Sequence, residues 1–477
     1  MNTSFYNGVS GIKTDQYYLD TIANNISNIS TVGYKKSNAP EFSTVFSTTL
    51  TDNYFDSTAN DNGLGVRKTA ATLNMTQGVL QNTDNTFDLA IGGNGWFGVQ
   101  GPQNNTYYTR AGVFNIDENG DLVDPNGNYL LATSGNNVSS TSLPKNISDD
   151  IGKYYSGKVA KTTEPKAISE ISEIPLGDIK SQTKVNLPTI LYYPPTATTN
   201  VSYQANLNPQ ILKDANGNEI ANVEHFSSGI ISPTGNKDIL DMTYTKRIPQ
   251  PVSGSTWDGV IKVLSFFEKY NPDTAYDPNL YQVDKSAEKV YTIVDSQKAT
   301  VNFSSTGELL NANIPTMSNS GTPLNINVGT PNSYDGFESS ANFDKSRSEQ
   351  HDGFEYGLLK NYGVDEGGNI IAEFTNGRSV PLAKIALYHF QNDQGLEKVN
   401  SSLLRASVDS GKPIFYTDKN ENPMLGAKLY SQKLESSNVD LTVAMSELIL
   451  AQRTYGANAK SITTSDQMIQ NAINMKK

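Results

Sequence analysis

The sequence contains no cysteine and only three histidines among its 477 residues. The absence of thiols excludes disulfides, thiol catalysis and cysteine-based zinc sites. The histidines, His225, His351 and His389, are far apart in the sequence, so no histidine-built metal centre is expected. No run of ~18 apolar residues occurs, which argues against a membrane-spanning helix. We therefore expect no cofactor, no metal and no insertion into a membrane.

Basic residues are also scarce, with 37 Lys and Arg against 49 Asp and Glu and a formal net charge of -12. A nucleic-acid-binding protein needs a basic surface, so this charge argues against that class. Residues 1–30 carry only Lys13, Asp15 and Asp20, a net charge of -1, whereas residues 440–477 carry four basic and three acidic residues, a net charge of +1. The negative charge belongs to the middle of the chain. Nearly neutral ends are typical of surfaces that become buried against copies of themselves.

The N-terminal stretch, residues 2–29, contains no proline and repeats apolar residues at helical spacing. Its apolar stripe consists of Phe5, Val9, Ile12, Leu19, Ile22, Ile26 and Ile29, with Gln16 in the polar position. Asn25 lies in the same stretch and belongs to the predicted assembly surface. The pattern predicts an amphipathic helix.

The C-terminal stretch repeats the pattern in alternating steps of four and three residues, which is typical of a coiled-coil seam. The seam consists of Leu441, Met445, Leu448, Gln452, Tyr455, Ala459, Ile462, Asp466, Ile469 and Ile473. Residues able to cap free backbone N–H groups stand before it, namely Ser436, Ser437, Asn438 and Asp440. This stretch is also predicted to be a helix.

An isolated helix is marginally stable in water because its first turn is costly to form. Each terminal helix therefore needs a partner, which is either the other terminus or another copy of the chain. An intramolecular helical hairpin is the simpler alternative. Self-assembly is favoured, because seams of this kind are normally assembly surfaces and the middle of the chain offers no other strong helical pattern.

Between residues 31 and 439 the sequence is predicted to be rich in β-structure. Short alternating runs, such as residues 106–110 and 241–246, are separated by turn signals such as Asn119-Gly120 and residues 214–217.

Three patterns resemble chemical sites, and each is better explained by structure. Gly93, Gly95 and Gly98 match the spacing of a dinucleotide-binding loop, but the residues that follow predict a strand, not the required helix. Residues 117–121 resemble the start of a calcium loop that lacks its later ligands, so a hairpin turn is expected. His389 lies in a strand pattern and is interpreted as a half-buried packing residue. With no catalytic signature, we do not expect an enzyme.

Several blocks of the sequence resemble one family, the axial proteins of the bacterial flagellar rod and hook. The blocks are residues 19–28 and 31–35 near one end, residues 437–441, 451–455 and 464–468 near the other, and residues 87–97, 108–114, 393–396 and 410–413 between them. Within the family, the hook subunits are the most similar, because about two hundred residues intervene where rod members usually lack a large inserted domain. Residues 198–202, 205–208 and 301–307 also resemble parts of the hook outer domain.

Composition and the resemblance together predict mainly β outer domains and an α-helical coiled-coil domain formed by the N- and C-terminal helices, in a discontinuous, nested arrangement. The predicted parts are residues 1–30 and 436–477 for the helical domain, 31–70 for a connecting stretch, 71–145 and 345–435 for an inner β domain, and 146–344 for one or two inserted outer domains. Residues 145–190 and 317–336 have the composition of a boundary and a closing loop.

The resemblance implies that many copies form a homopolymeric tube, with the helices inside, the β domains outside, and shell contacts that slide as the tube bends. Its implied partners are the distal rod protein, the hook cap, the hook–filament junction proteins and the flagellar type III export apparatus. The implied location is the extracellular hook. The N-terminus lacks the pattern of a cleaved signal peptide, which agrees with that export route.

Two alternatives remain. The stretch between residues 36 and 66 is longer than in the shortest hook proteins and is similar to the distal rod, so a rod-like or second hook-like member is possible. A secreted β-rich adhesin is a distant alternative, suggested by the 25 tyrosines.

Overall fold

The computed structural model describes residues 3–38, 42–47, 62–68, 71–140, 145–155, 165–249, 254–341, 347–400 and 402–475. Its helices are α1 (Thr3–Ser27), α2 (Lys145–Tyr154) and α3 (Leu441–Asn474). The long helices α1 and α3 come from opposite ends of the chain and lie together, and most of what lies between them is β-structure. The predicted fold class, β domains with paired helical termini, is therefore confirmed.

The first β region is built on a sheet of fifteen strands. In spatial order, the main path runs Val138–Ser140, Lys166–Ile168, Leu191–Tyr193, Gly357–Val364, Asn369–Phe374, Ser379–Ile385, Tyr129–Ser134, Trp96–Gln100, Thr106–Thr109, Leu403–Arg405 and Glu397–Lys398. The strands off this path are Thr183–Lys184, Leu387–Tyr388, Asn115–Ile116 and Leu122–Val123. Buried side chains such as Phe97, Phe114 and Ile370 form its core.

Three antiparallel pairs complete this region: Leu80–Asn82 with Lys433–Glu435, Leu89–Gly92 with Lys428–Ser431, and Tyr416–Thr417 with Pro423–Met424. The first pair places the strand that precedes α3 beside the β region. A separate hairpin, Phe42–Ser47 with Asn62–Lys68, follows α1.

The second β region is made of two sheets and a short hairpin. The six-strand sheet contains Val223–Ile231, Lys237–Lys246, Ser255–Lys269, Lys289–Phe303, Tyr281–Asp284 and Leu309–Asn313. The five-strand sheet contains Met317–Asn319, Thr322–Asn327, Asn200–Asn206, Phe337–Glu338 and Ser348–His351, and the hairpin joins Leu212–Lys213 to Glu219–Ile220. Alternate residues face inward along each strand, as Val201, Tyr203 and Ala205 do, and both sheets contribute to one core around Trp257.

The stretch from 165 to 193 differs from the predicted division of the chain. It was assigned with the inserted part, but its strands belong to the sheet of the first region, and Ile168, Leu187 and Leu191 are buried in that core. The charged and proline-containing composition concealed these few apolar residues. The chain instead passes to the second region after Tyr193 and returns at Gly357, where Thr196 and Phe354 form an isolated bridge.

Two local features were not predicted. Residues 145–154 form α2, a short helix within the part of the chain that is predicted to be β-rich. The predicted closing loop at 317–336 contains two strands, Met317–Asn319 and Thr322–Asn327, which pair with each other. Among the described residues, no helix has both the length and the apolar character that crossing a membrane requires.

Candidate assembly surface

The helix α3 begins at a capped N-terminus, as its sequence predicts. The Asp440 carboxylate accepts hydrogen bonds from the backbone N–H groups of Thr442, at 2.8 Å, and Val443, at 3.1 Å. These bonds satisfy donors that have no partner inside the helix. From this cap, α3 continues for 34 residues without proline, whereas α1 has 25 residues.

The two helices lie antiparallel and very close. Gly8 of α1 faces Ile462, and Gly11 faces Asn458; a Cβ atom at these glycines would lie 2.7 Å from Ile462 Cγ1 and 2.6 Å from Asn458 Nδ2. Side chains at both positions would collide with α3, so the missing Cβ atoms permit the approach. Further along, Ile22 of α1 is in the cluster that contains the start of α3.

A buried carboxylate lies between the helices. Asp15 is 6% exposed and accepts hydrogen bonds from Asn458 Nδ2, at 2.8 Å, and from Thr454 Oγ1, at 3.3 Å. A buried polar group must be hydrogen-bonded to avoid a large desolvation cost. Since only one longitudinal alignment brings these three residues together, Asp15 helps to set the register of the pair.

The apolar part of the contact lies at the end next to the β region. Its buried members are Ile22, Tyr34, Val439, Ala444 and Ala451, and the half-buried side chains around them are Tyr18, Leu19, Ile26, Ile29 and Leu448. Leu448 thus shares a cluster with the N-terminal isoleucines within one chain.

The predicted assembly residues divide into two groups. Ile22 and Asn25 are buried, and Phe5, Val9, Ile12, Leu19, Ile26, Ile29, Leu448 and Ile462 are partly buried. Leu441, Met445, Gln452, Tyr455, Ile469 and Ile473 are exposed on α3. Leu441 is 46% exposed and Met445 is 43% exposed, so much of their apolar surface is open to a further partner.

The face of α3 turned towards α1 carries small residues. The buried residues of α3 are Ala444, Ala451 and Ser465, and the partly buried Asn458 completes their seven-residue spacing. Large apolar residues are left on the outer faces, and those exposed are Leu441, Val443, Met445, Ile449, Leu450, Tyr455, Met468, Ile469, Ile473 and Met475. A pattern of large apolar residues does not include Gly8, Gly11 or these small residues of α3. Their regular spacing in the sequence is the signal that could have identified the contact.

Asn25 holds the end of α1 to the segment that follows it. Its side-chain amide donates to Ser37 O at 2.8 Å, and its Oδ1 accepts from Ser37 N at 2.9 Å and from the Tyr34 hydroxyl at 3.2 Å. Asn25 is therefore an internal anchor of this chain.

The strand Asn62–Lys68 of the separate hairpin lies along α1. Val66 N donates to Ser10 Oγ at 3.3 Å, and the Lys68 ammonium lies 4.5 Å from the centre of the Tyr17 ring. Of the stretch 36–66, the structure describes residues 36–38, 42–47 and 62–66, and residues 39–41 and 48–61 lie outside the described parts of the chain.

A buried ion triad joins both chain ends to the first β region. The Glu435 carboxylate lies 2.6 Å from Lys35 Nζ and 3.5 Å from Arg110 Nη1, and all three side chains are at most 3% exposed. Lys35 also donates to Thr76 O at 2.9 Å, and Gly78 N donates to Glu435 Oε1 at 2.8 Å. Burial lowers the pKa of Lys35 and of Arg110, and in each case Glu435 counteracts part of the effect.

The patterns that resembled chemical sites have structural roles. Gly93 and Gly95 have positive φ angles in the turn before the strand Trp96–Gln100, which confirms the predicted turn and strand. Asp117 accepts from Asn119 N and Asp121 N within a hairpin turn. His389 is more buried than predicted, at 4% exposure, and its Nε2 lies 3.3 Å from Leu425 O. The described residues contain no group of acidic and histidine side chains suited to a metal ion.

Comparison with known proteins agrees with the helical ends and the first β region. A family model described as "Flagella basal body rod protein" matches residues 5–35, and one described as "Flagellar hook protein FlgE/F/G D1 domain" matches residues 90–160. A third, "Flagellar basal body rod FlgEFG protein C-terminal", matches residues 430–475.

Relatives match along the whole chain. The flagellar hook protein FlgE of Borreliella burgdorferi is 28% identical over 100% of both chains. The FlgE proteins of Salmonella typhimurium and Escherichia coli are 26% and 25% identical over 99% of this chain and 100% of theirs. A crystal structure of Helicobacter pylori flagellar hook protein FlgE2 aligns with 75% of this chain and 100% of that chain, at 16% identity and a TM-score of 0.44.

The three family models match both terminal segments and the first β region, and the relatives named hook protein align from end to end. The chain is similar to flagellar hook and rod proteins at both ends and in the first β region, and to flagellar hook proteins along its whole length.

Proposed function

We propose that this chain is the structural subunit of a flagellar hook and that its copies polymerise into a tube through their terminal helices. The observation that carries this proposal is the surface of α3. Its small residues face α1, and ten of its large apolar residues between Leu441 and Met475 are exposed.

The exposed apolar residues of α3 require a partner of the same kind. Burial of a large apolar side chain contributes roughly 1.5–3 kcal/mol, so several together supply a strong drive for association. The antiparallel register places Gly8 opposite Ile462, so the last turns of α3, with Met468, Ile469 and Ile473, extend beyond the start of α1. The overhang is on the order of 10 Å at ~1.5 Å per residue. A second copy of the helix pair offers matching apolar surface.

We propose that the helical domain comprises residues 1–30 and 436–477 and forms the inner wall of the tube. The two β regions would form outer shells, with the inner domain extended to residue 193 because that segment shares the first core. Each β region has a core of its own, which supports relative movement between shells as the tube bends. We also propose that the helices are disordered in the free subunit and order on assembly.

The partners and location follow from the family and not from the geometry. A hook subunit would join the distal rod protein at one end and the hook–filament junction proteins at the other, and would grow beneath the hook cap. We propose that it reaches the extracellular hook through the flagellar type III export apparatus without cleavage of a signal peptide. We propose no enzymatic activity, because the family is structural.

A rod-like or second hook-like member is the second candidate. It is favoured by the strand Asn62–Lys68, which lies along α1, where it would stiffen the wall. The two candidates differ in the shape of the polymer, because a hook must curve and a rod must stay straight.

Electron microscopy of the purified full chain, under conditions that promote polymerisation, tests the proposal. Deletions of residues 1–30 and of residues 440–477 are the matched variants. Curved tubes that require both segments support the hook function, and straight, stiff tubes support the second candidate. A soluble monomer with ordered helices would contradict both and would favour an adhesin.

A further inference from the structure

The two chain segments that leave the helix pair meet the first β region at one carboxylate. Asn25 fixes the end of α1 to the segment that carries Lys35, and Gly33 N donates to Glu435 O at 2.7 Å. On the other side, Glu435 is five residues before the α3 cap, Asp440. Glu435 itself belongs to the segment before α3. Its carboxylate contacts Lys35 in the segment after α1 and Arg110 in the first β region.

We propose that Lys35, Arg110 and Glu435 are positioning residues that hold the helix pair and the first β region in one relative orientation. Torque is then transmitted between them without a change in that orientation. This inference rests on the proposed hook function. It assigns a mechanical role to Lys35 and Arg110, which lie in two blocks that resemble the family, residues 31–35 and 108–114. The resemblance alone gives these two residues no role.

Burial explains why charges suit this role better than apolar contacts. Apolar surfaces can slide and still remain in contact, whereas a buried cation that moves away from its anion is left uncompensated. Rotation of the helix pair would draw Lys35 Nζ away from Glu435 Oε1, from which it is now 2.6 Å. This contact between the helix pair and the first β region, the joint, therefore has one favourable arrangement instead of a range of similar ones.

The β-region side of the triad is itself held firmly. Arg110 Nη2 donates to Gly93 O at 2.7 Å, and its guanidinium lies 5.5 Å from the centre of the Trp96 ring. Trp96 Nε1 donates to Asp393 Oδ1 at 3.0 Å, and the Asp393 charge also acts on Arg110. Lys35 and Arg110 are thus balanced by Glu435 and Asp393, so removal of one carboxylate leaves an excess of positive charge.

Spin labels can measure the orientation directly, because the chain has no native cysteine. The substitutions Lys460→Cys, exposed on α3 and outside the predicted seam, and Val408→Cys, 99% exposed in the first β region, provide the two sites. The distance distribution between the labels is recorded in the free full chain and in polymers diluted with unlabelled subunits. The variants are Glu435→Gln, Lys35→Met with Glu435→Gln, and the control Glu397→Gln, which affects the exposed pair of Glu397 with Arg405.

We expect one narrow distance in polymers of the unsubstituted and Glu397→Gln chains and loss of that single distance in Glu435→Gln. Removal of Lys35 as well should restore a narrower distribution, because it removes one uncompensated cation; a role in packing alone would give no such rescue. A narrow distance in Glu435→Gln, or equal broadening in the single and double variants, would overturn the inference.

The hook function and the joint fail in different ways. If the unsubstituted chain forms no polymer, the hook function fails, and the joint then stands only if the free chain itself gives a narrow distance that Glu435→Gln broadens. If polymers form but the unsubstituted chain already gives a broad distribution, the joint fails while the hook function stands.

Discussion

The second β region and the terminal helices bury their apolar residues in opposite ways. In the second region, Trp257, Tyr244 and Val301 are each 0% exposed, and both sheets contribute to one core. In α3, the buried residues are two alanines and a serine, and large apolar residues such as Leu450 and Ile473 are exposed. A region that covers its own apolar surface can fold alone, whereas one that does not needs other copies of the chain.

The largest effect is expected from a charge in the helical contact. Leu448→Asp places a carboxylate among Ile22, Ala444 and Ala451, at a cost on the order of several kcal/mol. We expect no polymer by sedimentation and electron microscopy, together with an unchanged β-type circular dichroism spectrum. Leu448→Met, which conserves volume, is the control and should assemble. Normal tubes from Leu448→Asp would show that assembly does not depend on the apolar contact of the terminal helices.

The reciprocal change is made in the core of the second region. Trp257→Ala should destabilise that region by about 3–5 kcal/mol, because it leaves a cavity where the side chain was fully buried. Calorimetry should show one transition at a lower temperature, while the terminal helices keep their capacity to assemble. The control Val260→Ala changes an exposed residue of the same strand and should have little effect. If Trp257→Ala abolishes assembly but leaves the melting temperatures unchanged, the second region and the terminal helices do not act independently.

A smaller effect is expected where the helices approach most closely. Gly8→Ala would place a Cβ atom 2.7 Å from Ile462 Cγ1 and force the helices apart. We expect a net cost of about 1 kcal/mol, after the gain in helix propensity, and a roughly fivefold higher critical concentration for polymerisation.

Gly456→Ala is the matched control for that change, since a Cβ atom there meets nothing within 4 Å. It should leave the critical concentration unchanged or lower it, because alanine favours the helix. Equal increases in both variants would show that glycine matters for another reason than the close contact.

The smallest effect concerns pH and separates the two β regions. Burial lowers the pKa of His389, so the folded first region keeps this imidazole neutral. Its stability contribution is full above the ordinary histidine pKa of ~6.5 and decreases as the pH falls below that value, by at most about 1.4 kcal/mol per pH unit. The melting temperature of the first region should therefore fall between pH 7 and pH 5.

His389→Gln should abolish this pH dependence, and His225→Gln, which changes an exposed side chain of the second region, should leave it intact. If the dependence survives His389→Gln, another group must be responsible.

Much of the local structure was predictable because it depends on neighbouring residues. The proline-free, periodic ends became α1 and α3, Asp440 became a cap, and the turn signal at residues 214–217 became a hairpin. The segment 165–193 was misplaced because a few buried residues, among them Ile168 and Leu191, decide its location and its overall composition does not.

The assembly surface was predictable in kind but not in detail. The sequence indicated which helices carry apolar stripes, and Leu448 of the predicted seam lies in the cluster with Ile22. The sequence could not show how exposed Leu441 and Met445 are. Close approach of two helices selects glycine and alanine, which an apolar pattern does not register.

The amino-acid sequence by itself determined the elements of this protein, two helical ends and a β-rich middle, and its resemblance to the flagellar hook and rod proteins. Apolar periodicity, turn signals and helix caps depend on residues that are close together in the sequence, so they can be recognised from the sequence alone. The tertiary structure alone decided which face of α3 meets α1 and that Lys35, Arg110 and Glu435 share one buried site. Those contacts join residues up to 400 positions apart, and only the folded chain brings them together.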